Sequence, residues 1–171
     1  MPTDEASHQR LNAVLASLAQ FASSRSLDLV HASRSGVPLS LATAAVLGRI
    51  VDASPIGLSE LRRRSRLQSA ALSHHIRTLA EMGYIERRED PKDGRAAVVV
   101  ETDEGRAACQ RFRAVKEELL RAQLIGWTSE ELNTLSSMME RLDADLRSKE
   151  KRSLAGLSEM RPLADADLGT H

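Results

Sequence analysis

Positively charged side chains, the groups that bind a polyanion, are concentrated in the middle third of the chain. The 171 residues carry 24 Lys and Arg against 24 Asp and Glu, so the formal net charge is zero. Residues 56–100 nevertheless hold nine basic and six acidic side chains, whereas residues 101–171 hold eleven basic and fourteen acidic ones. A phosphate backbone would therefore meet the chain most favourably at residues 56–100. Imbalances of this size also arise by ordinary scatter, so charge alone does not decide the partner.

An arginine beside a turn is the sharpest candidate for binding chemistry. Arg95 follows an Asp-Pro-Lys-Asp-Gly sequence that separates the extended segments 85–89 and 96–101. Pro and Asp-Gly are strong turn formers, so the pattern predicts a small antiparallel hairpin with Arg95 near its tip. Such an Arg fits the narrow, electronegative minor groove of duplex DNA, and Asp93 could hold its guanidinium by a charge-assisted pair. The alternative is a surface ion pair at a turn, which is worth little.

A helix that could lie in the major groove precedes this hairpin. Leu72, Ile76 and Leu79 recur at helical spacing and predict a helix from about Ser69 to Met82. Its opposite face would expose Ser69, Ala70, Ser73, His74 and Arg77. Side chains near the N-terminus of a helix in the major groove reach base edges. Ser73 and His74 could donate to bases or phosphates. Ala70 would touch only a thymine methyl group, and Arg77 would reach a guanine or a phosphate. The alternative is a solvated helix face.

Other basic residues are suited to the phosphate backbone. Arg87, Arg88 and Lys92 are expected to contact phosphates, which position a protein on DNA without specifying its sequence. Four further arginines, at positions 62, 63, 64 and 66, cannot all face one way on a helix, so one or two would contact phosphate. The complete set predicted to contact DNA is Gln68, Ser69, Ala70, Ser73, His74, Arg77, Arg87, Arg88, Lys92, Asp93 and Arg95.

The sequence offers little for catalysis or for metal binding. His74 and His75 are adjacent, so on a helix they point about 100° apart and do not chelate one ion together. The single cysteine, Cys109, excludes an intrachain disulfide and a thiolate-rich zinc site, and is expected to be buried and inert. No catalytic triad, carboxylate pair or Gly-rich phosphate loop is present, so we expect no enzyme, no cofactor and no metal. Aromatic residues make up 2% of the chain, which disfavours base stacking on single strands.

The apolar pattern predicts helices on both sides of this region. A long helix runs from about Ala6 to Val30, and Ser40 is placed to cap a second helix after the Pro38 break. A short helix is expected over 59–65. Gly83 is expected to end the helix 69–82 in a left-handed conformation.

Two more helices are predicted after the hairpin. Thr102 is placed to cap a helix over about 103–125, and Thr128 with Glu131 forms a capping box for the last helix. That last helix has apolar residues spaced by 3 and 4, the seam of a helix packed on another helix: Leu132, Leu135, Met139, Leu142 and Leu146.

Two closely spaced helices followed by a hairpin form a winged helix-turn-helix layout. Residues 58–106 resemble the MarR family of transcriptional regulators in their order of motifs. The matching motifs are Ser59-Glu60-Leu61, the apolar positions Leu72, Ile76 and Leu79, Gly83-Tyr84-Ile85-Glu86-Arg87, Asp90-Pro91-Lys92-Asp93-Gly94-Arg95 and Thr102-Asp103-Glu104-Gly105-Arg106. The flanking helices fit in number and length, so the resemblance extends over residues 10–148.

The resemblance implies a mainly α fold with a small two-stranded antiparallel wing, dimeric through its N- and C-terminal helices. The expected regions are an N-terminal dimerisation helix at 1–36, a winged helix-turn-helix lobe at 37–101, C-terminal dimerisation helices at 102–150 and a flexible tail at 151–171. The implied function is a repressor that binds a pseudo-palindromic DNA operator as a homodimer and responds to a small-molecule effector. The ligand-binding residues stay unknown; Arg34 and Arg49 are candidates for holding an anion.

The chain shows no apolar leader at its N-terminus and no apolar run near 18 residues, so a soluble, cytoplasmic protein without a membrane span is expected. A second hypothesis is a winged-helix module whose basic face binds an acidic protein. Arg95 in the hairpin motif disfavours it, because a protein partner would not require that residue. A gel shift with the DNA upstream of the chain's own gene separates the two hypotheses.

Overall fold

A computed structural model of the chain describes residues 5–65, 67–89 and 97–159, with side chains described up to residue 148. The chain divides into two compact units after Gln123. The elements in chain order are α1 (Glu5–Ala22), α2 (Arg25–Ser35), α3 (Leu41–Val51), β1 (Ile56–Gly57), α4 (Leu58–Ser65), α5 (Ser69–Glu81), β2 (Ile85–Glu89), β3 (Ala97–Glu101), α6 (Asp103–Gln123) and α7 (Ser129–Glu159). The expected fold class, mainly α with a small antiparallel sheet, is confirmed.

The predicted long helix from Ala6 to Val30 is wrong, because two helices occupy this segment. Ser24 is extended, at φ −74° and ψ 131°, and its side chain accepts a hydrogen bond from the Leu27 N–H. A serine in this conformation starts a new helix by satisfying one of its free N–H groups. The apolar spacing continues across the break, so periodicity alone did not reveal it. Gly36, at φ 65°, ends α2.

The sheet has three strands in the order β1-β3-β2, not the expected two. The predicted hairpin pairs β2 with β3, with Ile85 opposite Glu101 and Glu89 opposite Ala97. The additional strand β1 pairs its Ile56 with Val99 on the other side of β3. A two-residue strand whose partner lies more than 40 residues later leaves no local periodicity to detect.

The core lies within residues 37–112 and joins α3, α4, α5, α6 and the sheet. Leu47, Leu61 and Leu79 are fully buried, as is Val99 on the central strand. Ser40 caps α3 as predicted, since its side chain accepts from the Thr43 N–H at 3.2 Å. These contacts fix α5 against α3, which determines the face that α5 presents to solvent.

A tight turn connects α5 to the sheet. Gly83 adopts φ +72°, the left-handed conformation expected of it. The Gly83 N–H donates to the Ala80 carbonyl, and the Tyr84 N–H donates to the Leu79 carbonyl. This pair of bonds is the Schellman motif, which satisfies carbonyls at a helix end. The turn therefore directs the chain from the end of α5 straight into β2.

Gly105 allows α6 to approach this turn closely. A Cβ atom at position 105 would lie 1.9 Å from the Tyr84 carbonyl oxygen, closer than any contact tolerates. The same Tyr84 oxygen accepts a hydrogen bond from the Thr102 N–H at 3.0 Å. Thr102 caps α6 as predicted, because its hydroxyl oxygen accepts from the Gly105 N–H at 3.0 Å. Gly105 is thus required by packing.

The second unit contains α7. Its predicted capping box is confirmed: the Thr128 N–H donates to a Glu131 carboxylate oxygen at 2.8 Å, and the Glu131 N–H donates to the Thr128 hydroxyl oxygen at 3.2 Å. The hydrogen bonds that the Thr128 N–H and the Thr128 hydroxyl donate to this carboxylate hold the pKa of Glu131 below its ordinary value. The helix continues to Glu159, beyond the expected boundary at residue 150. The predicted loose segment 161–171 lies outside the described residues.

Candidate nucleic-acid interface

The α5 helix divides into a buried apolar face and an exposed polar face. Leu72, Ile76 and Leu79 are buried, as predicted. The predicted DNA-contacting residues at the start of α5 and along its outer face are all exposed: Gln68, Ser69, Ala70, Ser73, His74 and Arg77. Small side chains at positions 69, 70 and 73 let the N-terminal turns of such a helix approach the floor of a major groove.

Arg77 makes only weak contacts on this face. Its guanidinium Nε lies 4.0 Å from a Glu81 carboxylate oxygen, and one of its terminal nitrogens lies 3.5 Å from His74 Nδ1. Both side chains of the Arg77–Glu81 pair are 69% exposed. A surface pair of this kind contributes little to stability. Arg77 can therefore leave Glu81 for a phosphate or a guanine at small cost.

The strand β2 places its two arginines on opposite faces, because successive side chains of a strand alternate. Arg88 is held by Glu86, with guanidinium–carboxylate distances of 2.9 and 3.2 Å. Arg87 lies opposite Val99 in the register and is exposed. The two arginines therefore leave the strand on opposite sides, and their predicted contacts with phosphates stay a prediction. Lys92, Asp93 and Arg95 lie outside the described residues, in the segment 90–96.

The arginine-rich helix α4 carries an internal ion-pair cluster. Arg64 and Arg63 both donate to the carboxylate of Glu60, each with a shortest distance of 2.6 Å. The Arg64 and Arg63 hydrogen bonds, in that order, lower the pKa of Glu60. Arg62 is exposed, and Arg66 is outside the described residues. Part of the positive charge counted in this stretch is thus neutralised within the helix.

A hydrogen bond that the sequence did not predict joins α5 to α3. His75 Nδ1 lies 3.0 Å from Thr43 Oγ1. Thr43 is buried in the first turn of α3, and its hydroxyl also lies 2.9 Å from the Ser40 hydroxyl. Burial and then the neighbouring His74 lower the pKa of His75. No local signal could have revealed the contact, since the two residues are 32 positions apart.

A cavity of about 280 Å³ lies among α1, α2, α3 and α6. Its lining is mostly apolar, with three polar side chains, and comprises Phe21, Ala22, Leu27, His31, Leu41, Lys116, Leu119, Leu120 and Gln123. His31 is buried, stacks on Phe112 with ring centroids 5.5 Å apart, and bonds the Leu27 carbonyl through Nδ1 at 2.8 Å. The size suits a small ligand with an apolar body.

The two candidate anion-holding arginines lie outside this lining. Arg34 pairs with Glu118 at 2.7 Å on the surface. Arg49 lines a separate cleft of about 230 Å³ between α3 and α6, where it donates to the Ala45 carbonyl at 3.1 Å. The cation that does reach the 280 Å³ cavity is Lys116. The sequence did not indicate that Lys116, four residues after Phe112 on α6, lines this cavity.

Cys109 is buried, as expected, and burial raises the pKa of its thiol. Within the described residues, no group of three or more His, Cys, Asp or Glu side chains is arranged to hold a metal ion. In the same part of the chain, none of the helices combines the length and the apolar character needed to cross a membrane.

Comparison with known proteins agrees with this fold. A model of the MarR family matches residues 39–97. An uncharacterized HTH-type transcriptional regulator, YdgJ from Bacillus subtilis, is 29% identical over 97 residues, covering 57% of this chain and 59% of that protein. The match thus spans less than two thirds of the relative's length.

Two solved structures extend the likeness to the flanking helices. A probable transcriptional regulator from Pseudomonas aeruginosa is 26% identical, with a TM-score of 0.65, over 77% of this chain and 95% of its own. A mutant MarR from E. coli complexed with operator DNA is 23% identical, with a TM-score of 0.66, over 82% of this chain and 99% of its own. The first two helices after Pro38, the turn between α4 and α5, and the start of the hairpin all fall inside the matched segment. Residues 39–97 of this chain are thus similar to the MarR family, and the fold over most of the chain is similar to that of the two solved structures.

Proposed function

We propose that this chain is a transcriptional regulator that binds duplex DNA through α5 and the hairpin formed by β2 and β3. The observation that carries the proposal is the exposed polar face of α5, held on a buried core beside the β2–β3 hairpin, whose strand β2 carries Arg87 and Arg88. Its surface offers small side chains first and an arginine one to two turns later, the arrangement expected of a helix entering a major groove. The same fold binds operator DNA in the E. coli MarR structure.

The regulator acts as a homodimer. On α1, which buries none of its own residues, Leu11, Val14 and Leu18 form an exposed apolar stripe at spacings of 3 and 4. On α7, Leu135, Met139 and Leu146 are exposed along one face. Helix faces of this kind are covered when a second copy packs against them. A two-fold dimer presents two α5 helices to successive major grooves of a pseudo-palindromic operator.

Repression with release by a small effector is the mode that the 280 Å³ cavity supports best. A ligand there would contact α1 and α2 on one side and α3 on the other. Any ligand that binds one arrangement of these helices better than another shifts the equilibrium between them. Lys116 favours an effector with an anionic or hydrogen-bond-accepting group. Release follows if the favoured arrangement misplaces the two α5 helices on the operator.

DNA binding is tested by measuring affinity for the duplex upstream of the chain's own gene. Fluorescence anisotropy should show a log affinity that falls steeply and linearly with log salt, because neutralised phosphates release counterions. Arg95→Ala should weaken binding about tenfold or more by removing a groove contact. Arg121→Ala is the matched control: it removes one exposed arginine that pairs with Glu117 on α6 and should leave the affinity unchanged. A flat salt response would argue against DNA as the partner.

A further inference from the structure

His75 is held on the inner flank of α5. Within that helix, Leu72, Ile76 and Leu79 supply the apolar packing, and His75 is half-buried beside them. Its Nδ1 lies 3.0 Å from the Thr43 hydroxyl of α3. Apolar contacts are not directional, whereas a hydrogen bond weakens steeply when its angle departs from linearity. The contact between His75 and Thr43 is therefore suited to select one rotation of α5 about its own axis.

Thr43 is a fixed reference point for this bond. Its backbone N–H donates to the Ser40 side chain at 3.2 Å, and the two hydroxyls are 2.9 Å apart. The N–H of Leu41, in the same first turn of α3, has no partner within the helix and donates to an Asp28 carboxylate oxygen of α2 at 2.7 Å. The start of α3 is thus tied to α2 and to its own cap. A hydroxyl anchored in this way cannot follow α5 if α5 turns.

The hydrogen bonds form a consistent chain when His75 is neutral. The Ser40 hydroxyl then donates to Thr43 Oγ1, and the Thr43 hydroxyl donates to the unprotonated Nδ1 of His75. Burial, which lowers the pKa of His75, favours this neutral form. Each of the two hydroxyls is therefore used once as a donor, and the imidazole supplies the final acceptor.

We infer that Thr43 and His75 are positioning residues for sequence-specific recognition. Neither faces the groove, but their hydrogen bond sets the rotation of α5 and hence the base edges that Ser73 and His74 can reach. Side chains reach about 5–6 Å from the helix axis, so a turn of α5 by about 30° displaces the tip of His74 by about 3 Å, enough to break a hydrogen bond to a base edge. This inference rests on the proposed function, since it concerns how the DNA-binding helix is aimed.

The test compares specific with non-specific binding. Thr43→Val keeps the shape of the side chain and removes the hydroxyl. Affinity is measured at one salt concentration for the best duplex selected from random sequences and for an unrelated duplex. We expect Thr43→Val to lower affinity for the selected duplex by about 3- to 10-fold, the range of one lost hydrogen bond. Affinity for the unrelated duplex should not change, because phosphate contacts dominate there.

Conservative variants separate positioning from general damage. Thr43→Ser retains the hydroxyl, and His75→Asn offers an amide oxygen near the place of Nδ1, so both should stay within about twofold of wild type. Thr78→Val is the matched control, because its hydroxyl bonds only the His74 carbonyl of the same helix. His75→Leu should reproduce the Thr43→Val loss, and the double variant should be no worse than either alone. His75→Leu carries the same prediction if Thr43→Val does not fold.

Each outcome decides one of the two proposals. If the wild type prefers its selected duplex and Thr43→Val keeps the full preference, the positioning role is wrong. Equal losses on both duplexes would also overturn it, since they indicate damage to the whole lobe. Additive losses in the double variant would overturn the role of the shared bond. A wild-type chain that binds neither duplex would instead contradict the proposed function, and this inference with it.

Discussion

Residues 37–112 bury their hydrophobic side chains, whereas the helices outside this range leave theirs exposed. Every buried hydrophobic residue of the described chain lies between Val37 and Phe112. Among the residues whose side chains are described, every large hydrophobic residue that is exposed lies outside this range, on α1, α2, the end of α6, the following loop and α7. The central region is thus complete as a single chain, and the flanking helices are not. Exposed apolar stripes of this extent are typical of surfaces that another protein covers.

This contrast explains why the two regions are expected to respond differently to mutation. A change in the core of residues 37–112 acts on the folding of each chain separately. In the proposed homodimer, a change on the apolar face of α1 or α7 is expected to weaken association and to leave residues 37–112 folded. Substitutions in the two regions can therefore test whether the division is real.

The largest effect is expected for Gly105→Ala. The added Cβ would lie 1.9 Å from the Tyr84 carbonyl oxygen, so α6 or the turn after α5 must move. We expect the free energy of unfolding to fall by about 3 kcal/mol or more, the upper range for overpacking. Urea denaturation followed by circular dichroism measures it. Gly126→Ala is the control, because no atom lies within 4 Å of a Cβ there. Similar free energies of unfolding for both variants would contradict the prediction and show that the turn at Tyr84 can move away from an added Cβ at little cost.

The double variant Leu135→Asp with Leu142→Asp tests the other region. Placing carboxylates in the apolar seam of α7 should raise the dimer dissociation constant at least about 100-fold, because buried unpaired charges are costly. Analytical ultracentrifugation should then find a monomer. The control Asn133→Asp with Ala144→Asp adds two carboxylates on the opposite side of the same helix and should remain dimeric. A double variant that still sediments as a dimer would remove α7 from the interface.

A smaller effect is expected on the pH dependence of the stability of residues 37–112, through His75. The pKa of His75 is lowered from its ordinary value of 6.5 by burial and by His74. As pH falls below about 6.5, the unfolded chain gains a proton on His75 that the folded chain resists, so the unfolded state is favoured. The stability contributed by neutral His75 is therefore present above pH 6.5 and declines as pH falls toward the lowered pKa.

Urea denaturation at pH 7.5 and 5.5 measures this decline. His75→Asn cannot titrate, so it should lose less stability between the two pH values than the wild type does. Equal losses would assign the pH dependence to other groups of the lobe.

Local sequence rules predicted much of this structure. The caps at Ser40, Thr102 and Thr128 and the left-handed Gly83 depend on neighbours within three or four residues, and all four are confirmed. The inward face of α5 followed in the same way from spacing. The break at Ser24 was missed because the apolar spacing continued through it, although Ser24 itself is a good capping residue.

Long-range contacts were the part that the sequence could not supply. The pairing of β1 with β3, the bond between Thr43 and His75 and the approach of Gly105 to Tyr84 each join segments that are distant in the chain. Their energies depend on how the elements pack, and no spacing rule encodes them. The residues expected to aim α5 belong to this class, whereas the residues expected to touch DNA could be selected from the exposed face alone.

The position of the central strand β3 in the sequence determines when the sheet can form during synthesis of the chain. The strand β1 directly precedes α4 and β2 follows α5 after the Gly83 turn, and both strands pair with β3. A growing chain therefore contains α4 and α5 before it contains the strand that joins their two ends. At roughly 5–20 residues per second, several seconds of synthesis separate β1 from β3. Incomplete chains that end before residue 97 therefore lack the central strand and cannot complete the three-stranded sheet.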